Sequence, residues 1–403
     1  MNIFTPTVRS SLLSDAKKGA SLRRWSIRDL IDFRLDGTSA VENTKSLLQE
    51  MQIRLAVQHM RLSASSKSIE EYAQVAKLEG EMAQRSLKKM RQLHENTYSL
   101  PYQIIDGDGQ ALLQNFSKPN KKYVSGMFDE IMSRHGTSVE TLADAVIHTR
   151  NMEERLPWIL TRNFSEAEML KNESIESFLH SRLLIQLLCD HYISLNKGKP
   201  TGAVSLGADV VDVVDDAVTE AKHVCDANLG VAPEVHIQQN ISQDFSPPPL
   251  IRSWLHHAIV EVTKNAMTSN IERWSYKQQS LESIPPSVYI NIGEEMVGGS
   301  HNPGFLSIQI MDQGTGLKDK ERAFGFAQTA SQKRWDRLQE QQSYAAVRQP
   351  LGSLGVGLPL SRLMLRAFGG DLVVSNHEEG GDIDSGCTAT LRINYDDTYT
   401  AKN

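Results

Sequence analysis

The sequence predicts an α plus α/β protein, with an N-terminal bundle of four main helices followed by an α/β sandwich. Two observations carry this reading. From about residue 26 to residue 196, apolar residues recur at three- and four-residue spacing with few β-branched alternations. After "NKGKPTGAVSLG", helical segments instead alternate with period-two runs. The length of 403 residues leaves room for two domains, each able to bury its own core. The expected boundaries are a leader over 1–25, the helical bundle over 26–196 and the α/β domain over 197–403.

The leader "MNIFTPTVRSSLLSDAKKGASLRRWS" carries five basic residues against Asp15 and is rich in serine, the composition of an organellar transit segment or of a disordered basic tail. Leu30, Ile31 and Phe33 open the first helix of the bundle, and residues 42–62 continue in the same mode. Residues 63–98 are charged and weakly amphipathic, which predicts a solvated helix or helical hairpin. Two amphipathic helices are expected over 142–170 and 177–195. In the second half, strands are expected at Val235 to Ile237, Val288 to Ile292, Phe305 to Met311, Asp371 to Ser375 and Thr388 to Ile393. Pro247, Pro248 and Pro249 precede a long helix, and "GEEMVGGSHNPG" reads as a hairpin loop.

Composition excludes some partners. A net charge of -6 and a pI near 6.1 give no reason to expect nucleic acid, which favours a basic stripe. Cys189, Cys225 and Cys387 are odd in number and lack the paired spacing of a zinc site or disulfide framework, so a reducing compartment fits. No apolar run approaches the roughly 20 residues that span a bilayer, and a soluble protein is expected.

Three stretches could carry chemistry. In the helix from Leu250 to Trp274, about 100° per residue places Glu261, Asn265, Thr268 and Glu272 on one polar stripe beside an apolar stripe of Ile251, Leu255, Val262 and Ala266. That suits a cleft edge, or an ordinary solvated face. In "LSIQIMDQGTGL", Asp312 stands where an alternating strand enters a loop whose Gly314 and Gly316 allow a ligand to touch backbone. A carboxylate there can accept from an exocyclic amine such as that of adenine, although Asp-x-Gly-x-Gly is also a common turn. In "GSLGVGLPLSR", glycines free backbone N–H groups before a helix that begins near Leu358 with Pro359 in its first turn, an arrangement that attracts anions. That loop alone is weak evidence, since it lacks the lysine and Ser/Thr of a P-loop.

The ordered set of Glu-x-x-x-Asn helix, strand ending in Asp-x-Gly-x-Gly, and Gly-x-Gly loop leading a helix resembles the ATP-binding domain shared by gyrase, Hsp90, histidine kinases and MutL. The resemblance implies that Asp312, with Gly314 and Gly316, binds adenine. It implies that Asn265 ligates Mg2+, and that Ser353, Leu354, Gly355, Val356, Gly357 and Leu358 close over the phosphates.

The rest of the chain resembles the mitochondrial kinases of pyruvate and branched-chain 2-oxo-acid dehydrogenase complexes. "SIRDLIDF" is similar to that family's first helix, "LLQEMQIRLA" to its "RQELPVRLA", "EVTKNAM" to its "ELLKNAM" and "GVGLPLSR" to its "GFGLPTSR"; "SLPY" and "SRLLIQLLCDH" match two further segments in order. This implies a serine kinase using ATP and Mg2+, with Glu261 as base or polariser of the substrate hydroxyl and Lys264 supporting the phosphates or standing as a surface charge. It also implies a matrix location, the dehydrogenase component as substrate, docking on the lipoyl domain of the transacylase core, and a homodimer. The chain departs from the family at Ser353 (glycine), Thr268 (arginine), Cys387 (threonine) and Gln52 (proline), and residues 63–98 read as an insertion. Those losses frame the alternative, a nucleotide-binding pseudokinase that regulates a partner kinase. Phosphorelay chemistry is disfavoured because Pro101 lies too far from His94-Glu95, and an ATP-driven clamp would need a further large domain. "SLPY" and "GVAPEVHI" tilt weakly to the branched-chain type.

Overall fold

The long runs with helical spacing fold as helices. In the computed structural model, the described residues are 6–37, 39–72, 77–103, 121–155, 172–242, 245–277, 284–296, 303–317, 319–320, 322–328, 355–377 and 386–400. The chain divides into two compact units, one of residues 1–25 and 29–203, the other of residues 26–28 and 204–402.

The helices in order are α1 (Pro6–Ala16), α2 (Ile27–Asp32), α3 (Ala40–Tyr72), α4 (Lys77–Tyr98), α5 (Leu100–Gln103), α6 (Lys121–His135), α7 (Ser138–Arg155) and α8 (Asn172–Asn196). Within the first unit α4 packs on α3 and α7, α6 packs on α8, and α1 packs on α3. Among the described residues the first unit holds further helices beside the four main ones expected. Residues 121–135, which the sequence reading passed over, form α6 and bury Val124, Met127, Phe128, Ile131 and His135, a stripe at helical spacing. The solvated reading of 63–98 is also corrected. Ala83, Leu87, Met90, His94 and Tyr98 of α4 are at most 1% exposed, so its charged residues lie mainly on its outer face, with the buried Glu79 paired to His148. The leader segment holds α1, where Leu12 is buried and Asp15 accepts from the Tyr98 hydroxyl at 2.8 Å. Gln52, standing where the related family has proline, lies inside α3, and an amide there leaves the helix unbroken where a proline would cost about 3 kcal/mol.

The second unit continues with α9 (Val210–Leu229), β1 (Val235–Asn240), α10 (Arg252–Lys277), β2 (Val288–Met296), β3 (Pro303–Met311), α11 (Gly357–Arg366), β4 (Asp371–Asn376) and β5 (Cys387–Asn394). All five expected strands are present, each running one or more residues past the expected ends. They form one sheet in the order β1-β2-β3-β5-β4, with β1 parallel to β2 and the other pairs antiparallel. Alternation dictates its faces. Ile290, Ile310, Ala389 and Val374 lie in register on one side, and with Leu306, Leu372 and Leu391 they share a core with Val213 and Ala217 of α9 and Leu255, Ala258 and Val262 of α10. Asp209 caps α9 by accepting from the Val211 and Asp212 N–H groups, and Gly230 ends it at φ 75°. Among the described residues no helix is long and apolar enough to cross a membrane.

Candidate functional site

The site is built on α10, the loop after β3 and the start of α11. On α10 the polar stripe is not a solvated face. Glu261, Lys264 and Thr268 are 8%, 7% and 7% exposed, Asn265 is half-buried, and only Glu272 is exposed. Lys264 Nζ donates to Glu261 Oε1 at 2.5 Å, which excludes the reading of Lys264 as a surface charge. The Asn265 side chain has no hydrogen-bond partner among the described residues. Thr268, placed where the related family has arginine, turns its hydroxyl back to the Lys264 carbonyl at 2.7 Å.

Asp312 ends β3 and is 7% exposed. Its Oδ1 accepts from the Gly314 N–H at 2.8 Å and the Cys387 N–H at 3.2 Å, and among the described residues its Oδ2 accepts from none. Burial pushes the Asp312 carboxyl above its ordinary range, while those two N–H groups hold it back. A carboxylate with one oxygen saturated by backbone and the other open is poised to accept from an incoming amine. The Cys387 thiol, pushed up to about 12 by burial and the neighbouring Asp312 charge, stays neutral beside it.

The loop that follows is fixed from two sides. Gly316 has φ 74°, and next to it Leu317 N–H donates to Asn376 Oδ1 while Asn376 Nδ2 returns a bond to the Leu317 carbonyl, each at 2.8 Å. Gly314 lies against α10 so closely that a Cβ on it would sit 1.8 Å from Ser269 Oγ. Asn270 and Arg273 of α10 also bond this loop, and the sequence reading missed both. Asn270 lies about 180° around the helix from Glu261, so it falls outside the polar stripe. The usable signal was a second asparagine, a poor helix former, between the apolar residues Met267 and Ile271.

In the glycine loop, Ser353 and Leu354 lie outside the described residues. Gly355 has φ 75°, accepts from the Ala327 N–H at 3.0 Å, and would clash with the Gln328 backbone if it carried a Cβ. Val356 precedes α11, whose first turn includes Gly357 and Leu358 and has no side-chain cap among the described residues. Helix α11 packs against α10 and against the short turn at Arg322–Phe324, where Arg362 sits 4.2 Å over the Phe324 ring. Thus Glu261, Lys264 and Asn265 occupy one stretch of α10, and Asp312 and Gly314 are secured to its next turns.

Among the described residues no group of three His, Cys, Asp or Glu side chains could hold a metal. A divalent ion here would rest on Asn265 and on oxygens of its ligand, a sparse donor set that suits Mg2+ better than zinc or calcium.

The profile of the mitochondrial branched-chain alpha-ketoacid dehydrogenase kinase family matches residues 24–218. Pyruvate dehydrogenase (acetyl-transferring) kinase isozyme 4, mitochondrial, of Ictidomys tridecemlineatus is 25% identical over 368 residues, covering 86% of this chain and 76% of that one. Over these stretches the chain is similar to the mitochondrial 2-oxo-acid dehydrogenase kinases. Isozyme 3 of Homo sapiens is 24% identical over 368 residues, covering 88% of this chain and 80% of its own. A structure of the mycobacterial sensor histidine kinase MprB covers 49% of this chain and 97% of that one at 16% identity, with a TM-score of 0.29, an overlap too small to bear on the fold. The open oxygen of Asp312 is the feature of the site with room to accept a hydrogen bond from a ligand.

Proposed function

We propose that this protein is a protein serine kinase that uses ATP and Mg2+ to phosphorylate, and thereby inactivate, the dehydrogenase component of a mitochondrial 2-oxo-acid dehydrogenase complex. The observation that carries it is the pairing of a buried Asp312 with an open Oδ2 and a buried Glu261–Lys264 ion pair on the helix that braces the Asp312 loop. The relatives described above are pyruvate dehydrogenase kinases by name, and the pyruvate complex is the favoured substrate.

In this reading the unit of residues 204–402 is an ATP-binding domain of the gyrase, Hsp90, histidine kinase and MutL type. Asp312 takes the adenine amine through Oδ2. Gly314 and Gly316 keep the loop low enough for the base to approach, and the 353–358 loop with the start of α11 receives the phosphates. Asn265 offers its amide oxygen to Mg2+, which when bound supplies positive charge beside the transferring phosphoryl group. Glu261 orients the serine hydroxyl and takes its proton on the oxygen that Lys264 leaves open, and Lys264 fixes that carboxylate in one rotamer. The helical unit docks the lipoyl domain of the transacylase core in the matrix and thereby raises the local concentration of dehydrogenase. The working form is a homodimer, and residues 1–25 serve as the targeting segment.

The test is transfer of labelled phosphate from Mg-ATP to purified pyruvate and branched-chain dehydrogenase complexes, with Asp312→Ala as control. Label on a serine of the dehydrogenase, absent in the control, supports the kinase and names the substrate. Nucleotide binding without label on either complex would favour the regulatory pseudokinase.

A further inference from the structure

We infer that Asn270 is a positioning residue for nucleobase selection, holding the Asp312 loop in the one conformation that leaves Oδ2 of Asp312 open. The inference rests on the reading of Asp312 as the acceptor of a base amine.

Asn270 is 0% exposed in the last third of α10. Its Oδ1 accepts from the Gln313 N–H at 2.7 Å, and its Nδ2 donates to the Pro286 carbonyl at 2.8 Å and the Ser287 carbonyl at 3.2 Å. One buried amide therefore joins the peptide immediately after Asp312 to the segment that leads into β2. Because Nδ2 is committed to two carbonyls, the amide cannot flip, and Oδ1 must face the Gln313 N–H.

The neighbours complete the clamp from the same helix. Arg273 donates to the Gln313 carbonyl at 2.7 Å and the Gly314 carbonyl at 3.3 Å, while Ser269 abuts Gly314. The peptides on both sides of Gln313 are thus held by α10, the first through its N–H and the second through its carbonyl. The Gly314 N–H that follows is the donor that occupies Oδ1 of Asp312 at 2.8 Å. The sequence of causes is explicit. Asn270 fixes the Asp312–Gln313 peptide, Arg273 fixes the Gln313–Gly314 peptide through the Gln313 carbonyl, and the two together aim the Gly314 N–H at Oδ1, whose saturation leaves Oδ2 to face the ligand. Loss of Asn270 would leave the Gln313 N–H and the Pro286 carbonyl without this buried partner, while the Ser287 carbonyl keeps the Gln313 Nε2 donor at 3.3 Å, and the loop would shift to recover the lost bonds.

The experiment compares the full chain, Asp312→Ala and Asn270→Ala for binding of Mg-ATP and of purine riboside 5′-triphosphate, which lacks only the exocyclic amine. The unaltered protein is expected to prefer ATP by about tenfold or more, and Asp312→Ala to show no preference. Asn270→Ala is expected to bring the preference within about twofold while binding of the amine-free analogue changes by no more than about twofold. If Asn270→Ala keeps the full preference, or weakens both nucleotides equally, the positioning role is overturned. If Asp312→Ala itself keeps the preference, the amine reading fails instead, whatever Asn270 does. Should Asn270→Ala not fold, Asn270→Ser is read in its place, and failure of both to fold makes Asn270 a folding residue and overturns the inference.

Discussion

Glu261 and Lys264 lie one helical turn apart with Oε1 and Nζ at 2.5 Å, both less than a tenth exposed. A pair so withdrawn from water is kept only at the cost of desolvating two charges, and breaking it by removing one partner costs about 3 to 5 kcal/mol. We therefore expect Lys264→Met to lower stability more than the double variant Lys264→Met/Glu261→Gln, measured by urea unfolding. The reverse order would show that the pair is not a closed unit.

Glu261→Gln keeps shape but removes the carboxylate that the proposed mechanism uses as proton acceptor. Phosphoryl transfer is expected to fall on the order of 10² to 10⁴ with ATP affinity unchanged within a few-fold. Calorimetric titration beside a transfer assay separates the two, and a parallel loss of affinity would assign Glu261 to binding.

Asn265→Ala removes the half-buried amide oxygen that the proposed mechanism offers to Mg2+. Nucleotide affinity should then become insensitive to Mg2+ between zero and millimolar concentration, whereas retained Mg2+ dependence places the ion elsewhere.

Gly314→Ala forces a methyl to within 1.8 Å of Ser269 Oγ and 2.9 Å of Asp312 Oδ1. Nucleotide affinity is expected to fall by about tenfold or more, the equivalent of losing one buried hydrogen bond. Adding Ser269→Gly opens the space and should restore part of it. Absence of any rescue would mean that the contact with Ser269 is not what excludes a side chain.

The helical unit is expected to be most stable near neutral pH, for two opposed reasons. His148 sits between Asp144 and Glu79, with Nε2 at 3.4 Å and Nδ1 at 2.6 Å from their carboxylates, and these partners raise its pKa. A raised folded value stabilises fully below the unfolded value of about 6.5 and is lost as pH rises through the folded value. His94 and His135, packed edge to face at 4.9 Å, are lowered by burial to about 4 and about 2. These two must stay neutral, so stability falls as pH drops below about 6.5. Thermal unfolding followed by circular dichroism from pH 5 to 9 tests both arms. His148→Gln should flatten the loss on the alkaline side only.

Deleting residues 63–98 and closing the gap should unfold the helical unit, because α4 contributes Leu87, His94 and Tyr98, each 0% exposed, and His94 lies 2.6 Å from Gln58 of α3. A cooperative thermal transition in the deletion protein would show the segment to be dispensable.

The sequence by itself determined the alternation that makes the five strands, the helix carrying Glu261 and Asn265, and the start of α11 at a glycine loop, because these depend on local period, propensity and turn chemistry. It also carried the resemblance to the mitochondrial 2-oxo-acid dehydrogenase kinases, through short segments whose order spans both halves. It did not determine that α4 is a core helix or that α6 exists. In α4 the apolar stripe is diluted by Lys88, Lys89 and Arg91 on the outer face, and only packing against α3 and α7 says which side is inside. Nor could it reveal the roles of Ser269, Asn270 and Arg273. Their partners are backbone groups at Pro286, Ser287, Gln313 and Gly314, remote along the chain, and a buried amide has meaning only once tertiary structure decides which N–H and C=O groups it must satisfy.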